Sequence, residues 1–146
     1  DPGYAERVHF TVVRPEATTA SALAQASAAI AEAMTVAGII VFTGSGSTAR
    51  RVARERPGVP MLVLTPSQRI ARRLALLWGT HAVSTKDIGS FEEMIAKGKR
   101  MALRNGFGQA GSKLVALAGV PFGTPGSTNL LHVVTVQGDE LKGRDG

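Results

Sequence analysis

The chain contains no cysteine, which excludes disulfides, thiolate metal sites and cysteine nucleophiles in one step. Its three histidines, His9, His81 and His132, are scattered too widely to pair as ligands on one helix, so a zinc enzyme is not expected. Aromatic residues make up only 5% of the total, so the core must be aliphatic. Long apolar runs are missing too: a spanning helix needs roughly 18 to 20 such residues, and the best stretch, Ala17 to Ala37, is broken by Thr, Ser, Gln and Glu. The opening DPGYAERVHF has neither the basic start nor the apolar block of a secretory signal. A cytoplasmic setting with no membrane partner is therefore expected.

What is present fits a soluble globular domain. The 146 residues are 44% hydrophobic and 19% charged, enough for one core and far from the composition of disordered chains. A net charge of +6 favours anionic partners without choosing among them. Apolar segments rich in β-branched residues predict strands over Gly38 to Thr43, Met61 to Thr65, Thr80 to Thr85, Ser112 to Ala118 and Leu131 to Val136. Between them lie helical patterns over Thr48 to Glu55, Gln68 to Trp78 and Phe91 to Asn105, and an alanine-rich helix over Thr19 to Val36 precedes them. Ser90 as N-cap, with Glu92 and Glu93 in the first turn, marks the start of the Phe91 helix. This alternation predicts a three-layer α/β/α fold with a five-stranded mixed sheet. The last link, GVPFGTPGST, has no room for a crossover helix, so the last strand should return antiparallel. Residues 1–16 are expected to form an arm following a missing upstream domain, residues 17–137 the α/β domain and residues 138–146 a flexible tail.

Chemistry concentrates in two loops. TGSGSTARR follows the first strand and opens a helix, the position where α/β sheets bind ligands. Gly44 and Gly46 allow close approach of backbone N–H groups to an anion. Thr43, Ser45, Ser47 and Thr48 add hydroxyls, and the helix start contributes its positive dipole end. A phosphate is the natural guest, while the bland alternative is a tight, empty turn. Gly44, Gly46 and Ala49 also satisfy the G-x-G-x-x-A spacing of dinucleotide sites. The acidic residue that should end the second strand is replaced there by Thr65 and Pro66. No Gly-Lys-Ser/Thr of a nucleotide-hydrolysing loop follows either. The second loop, Gly119 to Asn129, is rich in glycine and proline and belongs to the same sheet end, where it reads as a ligand cover or a wide hairpin.

Other clusters carry less. Arg50, Arg51, Arg54, Arg56, Arg69, Arg72 and Arg73 make two basic helices, but the aromatics that stack bases are not interleaved with them, so no nucleic-acid partner is expected. Trp78 should end its helix as a core or interface residue. Asp87, Glu92, Glu93, Asp139 and Glu140 lie away from histidine and from both loops. Ser127, His132 and Asp139 could be drawn as a triad, but Ser127 lacks the strand-to-helix elbow. No catalytic constellation emerges.

The run IIVFTGSGSTARRVARERPGVPMLVLTPS resembles the C-terminal domain of pyruvate kinases: a strand, then T-x-S-G-x-[ST]-A, then a helix with V-A-x-x-R-P, then a strand ending in threonine. TTASALAQASAAIAEAM is similar to that family's preceding helix, and GTPGSTNLLHVVTV to its effector loop and last strand, so the resemblance runs from about Ala17 to Val136. It implies an allosteric domain that binds a phosphorylated effector and packs against its own barrel domain and the sister subunits of a homotetramer. Phosphoryl transfer from phosphoenolpyruvate to ADP, with Mg2+ and K+, would belong to that upstream barrel, and no cofactor is expected on this chain. By the resemblance, Thr43, Ser45, Gly46, Ser47 and Thr48 hold the effector phosphate, and Gly123, Thr124, Pro125, Gly126, Ser127 and Thr128 close over the sugar. Members regulated by fructose-1,6-bisphosphate carry Trp and Arg early in that loop, where this chain has GVPFG. A sugar monophosphate or AMP is thus expected in place of a bisphosphate. Position 44 is Gly where many relatives have Lys or Glu. A free-standing dinucleotide- or phosphate-binding domain and a purely structural assembly domain stay open as alternatives.

Overall fold

The computed structural model describes residues 18–85, 88–118 and 129–137. In chain order the elements are α1 (Thr19–Met34), β1 (Gly38–Phe42), α2 (Ser47–Arg54), β2 (Met61–Thr65), α3 (Gln68–Leu74), β3 (Thr80–Ser84), α4 (Phe91–Arg104), β4 (Lys113–Ala118) and β5 (Leu130–Thr135). The strands form one sheet in the order β3-β2-β1-β4-β5. The first four are parallel, and β5 runs antiparallel to β4.

Handedness explains the layers. The crossovers β1-α2-β2 and β2-α3-β3 step in one direction, and the crossover β3-α4-β4 steps back past β1. Right-handed connections therefore place α2 and α3 on one face and α4 on the other. Side-chain alternation fills both faces. Ile39, Val41, Met61, Val63, Val115 and Leu117 meet Ala24 and Ala31 of α1, Val52 of α2 and Leu74 of α3. Ile40, Leu62, Leu64, Leu114 and Ala116 meet Met94 and Ala102 of α4. At roughly 1.5 to 3 kcal/mol per fully buried aliphatic side chain, these two clusters supply most of the drive to fold.

Start signals in the sequence are matched by capping contacts. Thr18, Ser67 and Ser90 accept from the N–H groups of Ser21, Ile70 and Glu93 at 3.1, 3.2 and 3.1 Å. Most elements lie within a residue or two of the expected bounds, but α3 is shorter. It ends at Leu74 instead of Trp78, because the N–H groups of Leu76 and Leu77 turn to the carbonyls of Arg73 and Leu74, three residues back. That tighter turn brings the chain into β3 through Gly79 at φ 72° and leaves Trp78 out of the core, 92% exposed.

Candidate functional site: the loop after the first strand

β1 is the switch point of the sheet: the chain leaves it toward β2, and β4 arrives on its other side. In such sheets the crevice beyond the strand ends at this point is the ordinary ligand position. The loop Thr43 to Gly46 lies there and leads straight into α2.

The geometry of the loop divides the five predicted phosphate residues into two kinds. Thr43 is buried; its N–H donates to the Leu64 carbonyl at 3.0 Å, and its Oγ1 accepts from the Gly46 N–H at 2.9 Å. That hydroxyl is spent on holding the turn. Thr48 is also buried and engaged by neighbouring groups. Ser45 is exposed and Ser47 half-buried; the Ser45 hydroxyl donates to Ser47 Oγ at 3.1 Å and accepts from the Ser47 N–H at 3.3 Å. Gly44 is exposed, with open space where a Cβ would stand. The outward groups are therefore those of Gly44, Ser45 and Ser47.

Gly46 is the helix N-cap, at φ 92° and ψ −6°, and α2 is alone among the four described helices in having no side-chain cap. Its first intrahelical bond runs from Arg50 N–H to the Gly46 carbonyl at 3.1 Å, so the N–H groups of the first turn are directed toward the loop. A Cβ on Gly46 would stand 2.9 Å from an Arg50 guanidinium nitrogen and 3.4 Å from Leu74 Cδ2. The φ of 92° is what calls for glycine here, since the arginine tip could swing aside from a Cβ. The same contact places the Arg50 guanidinium against the turn, beside the helix dipole's positive end.

The second predicted loop, Gly123 to Thr128, lies outside the described residues. Its flanks do not: Ala118 pairs with Leu130, and the Asn129 N–H donates to the Ala118 carbonyl at 3.1 Å. Both flanks sit at the carboxyl end of β4, next to β1. Of the residues considered for a triad, Ser127 and Asp139 also lie outside the described set, and His132 stacks on Phe91 with ring centroids 5.6 Å apart. Among the described residues no group of three or more His, Asp or Glu side chains could hold a metal ion, and no helix is long and apolar enough to cross a membrane.

One feature escaped the sequence reading. A cleft of about 900 Å³ runs from Ser47 along α2 to the turn at Trp78. The spacing of Arg50, Arg51 and Arg54 on one helix face was its visible signal; the position of Trp78 opposite them was not visible, because it depends on where α3 stops.

Fold and site together define a doubly wound α/β domain with an exposed glycine- and serine-bearing loop at its switch point. The chain matches the family described as "Pyruvate kinase, alpha/beta domain" over residues 21–134. It is 40% identical over 122 residues to a pyruvate kinase of Methylorubrum extorquens strain AM1, covering 84% of this chain and 26% of that protein. It is 42% identical over 99 residues to a pyruvate kinase of Clostridium acetobutylicum, covering 68% of this chain and 21% of that protein. The fold superposes on the solved structure titled "Cryptosporidium parvum pyruvate kinase in complex with ADP" with a TM-score of 0.79 and 25% identity, over 92% of this chain and 27% of that one. The chain belongs to the pyruvate kinase alpha/beta domain family. It spans about a quarter of the length of these relatives.

Proposed function

We propose that this domain is the effector-binding and assembly module of a pyruvate kinase, taking the phosphate of a small phosphorylated metabolite in the loop Thr43 to Thr48. The observation that carries the reading is the uncapped start of α2. Three described helices have an N-cap hydroxyl that accepts the N–H three residues on, whereas the one at the switch point begins on a left-handed glycine with no N-cap side chain, its Ser47 N–H reaching only the exposed Ser45 hydroxyl at 3.3 Å. An anion there would accept from first-turn N–H groups, from the Ser45 and Ser47 hydroxyls and from Arg50, and would complement the dipole. Thr43 acts indirectly by fixing the turn through Gly46.

Residues Gly123 to Thr128 enter the proposal from sequence alone, as the second wall of the site. With no cation in GVPFG, one phosphate pocket is available, and a sugar monophosphate or AMP suits it better than a bisphosphate. Phosphoryl transfer from phosphoenolpyruvate to ADP, the barrel domain with its Mg2+ and K+, and the sister subunits of a homotetramer belong to the same proposal. Effector binding would alter catalysis only through unequal affinity for two assembly states.

Calorimetric titration of the chain with ribose 5-phosphate, glucose 6-phosphate, AMP, fructose-1,6-bisphosphate and NADP tests the site. Heat with a monophosphate, abolished in Ser45→Asp/Ser47→Asp by like-charge repulsion, is the expected result. Heat with NADP alone would favour a dinucleotide domain, and silence throughout would leave a structural one.

A further inference from the structure

The cleft along α2 shares Ser47 and Arg50 with the proposed phosphate loop but extends well past it, to Arg56, Val59 and Trp78. Arg50, Arg51, Arg54 and Arg56 line one side, and Leu77 and Trp78 the other. Its floor is apolar, including Val59 and the buried Met61, and among the described residues no Asp or Glu lines it. Leu76, next in sequence to the lining residue Leu77, is 87% exposed, so two large apolar side chains of one short turn, Leu76 and Trp78, stand in water. Trp and Arg in such company are the residue types that dominate protein interfaces.

We propose that this groove docks an acidic polypeptide segment, which lays its carboxylates along the α2 arginines and an apolar side chain against Leu77 and Trp78. Charge complementarity sets the sign of the partner: beyond Arg50, which borders the phosphate loop, Arg51, Arg54 and Arg56 line the groove with no lining carboxylate among the described residues, and they call for anions. The exposed rim sets its size. A small ligand between α2 and the turn leaves Leu76 and the outer face of Trp78 in water, whereas a polypeptide covers both. A second copy of this chain is disfavoured, since two-fold packing of this face would bring arginines against arginines. Arg56 adds a backbone observation. It holds a left-handed conformation, φ 50°, where glycine is the usual residue after a helix, and it projects a cation at the groove mouth.

Trp78 is the chain's single tryptophan, so its emission reports directly on the groove. The probe is a synthetic alternating Glu–Leu peptide, with an alternating Gln–Leu peptide and AMP as comparisons. The expected result is a blue shift with the Glu–Leu peptide alone, at an affinity that falls as ionic strength rises. Arg51→Gln/Arg54→Gln should weaken binding tenfold or more. Arg100→Gln, on α4 and the opposite sheet face, should leave it unchanged. Trp78→Ala, followed by calorimetry, should weaken binding comparably, with far-UV circular dichroism confirming each fold. The proposal is overturned by no shift with the Glu–Leu peptide, by an equal shift with the Gln–Leu peptide, by equal losses in the α2 and α4 variants, or by a shift with AMP alone. A Trp78 already shielded in a dimer seen by sedimentation would overturn it in favour of a second copy.

Discussion

Thr35 ends α1 in the left-handed region, at φ 55° and ψ 60°, which costs a β-branched residue roughly 1 to 2 kcal/mol. Thr35→Gly removes that strain but adds freedom to the unfolded chain, worth about 0.4 to 1 kcal/mol. A net gain of about 0.5 to 1 kcal/mol is expected, read as a higher urea midpoint at unchanged slope. Arg56→Gly should gain by the same route while losing affinity for an acidic segment, so stability and binding move in opposite directions. At this scale the sequence was least legible. The T-x-S-G-S-T string displays four hydroxyls within six residues, yet Thr43 and Thr48 are buried and only the serines face outward. A motif states which donors exist; the fold decides which remain for a ligand.

Among the elements, α4 approaches β1 through Gly98, where an added Cβ would stand 2.8 Å from Ile40 Cδ1 and 3.0 Å from its Cγ2. Alanine there gains about 1 kcal/mol of helix propensity and meets an overpacking cost of about 1 to 3 kcal/mol. Gly98→Ala should therefore be neutral to destabilising by about 2 kcal/mol. Combined with Ile40→Val, which deletes the nearest methyl, it should cost less than the two changes summed, by on the order of 1 kcal/mol in a double-mutant cycle. The nine described elements were legible because aliphatic runs, hydroxyl caps and glycine breaks agreed with one another. The end of α3 was not. ALLWG carries no breaker before Gly79, and the helix stops because burying Leu74 and pairing Thr80 in β3 outweighs four further residues of propensity.

For the whole molecule, the order of crossovers does most of the positioning. One reversal of direction after β3 puts helices on both faces and opens the crevice at β1, so the site follows from topology before any side chain is chosen. Anion binding there should raise the melting temperature by linkage. Sulfate should stabilise the chain relative to chloride at matched ionic strength, approaching about 2.7 kcal/mol at a hundredfold excess over its dissociation constant. Ser45→Asp/Ser47→Asp should erase the difference. A thermal scan with circular dichroism separates this from general salt effects.

The antiparallel return of β5 has one more consequence. Because Ala118 and Asn129 are already hydrogen-bonded neighbours, whatever lies between them begins and ends at one rung of the ladder. Its length is then nearly neutral for the sheet, since doubling a closed loop costs only about 0.6 kcal/mol. Splicing in a short Asn-Gly turn should leave the melting curve close to that of the parent, so this stretch can be rewritten while the scaffold beneath stays the same.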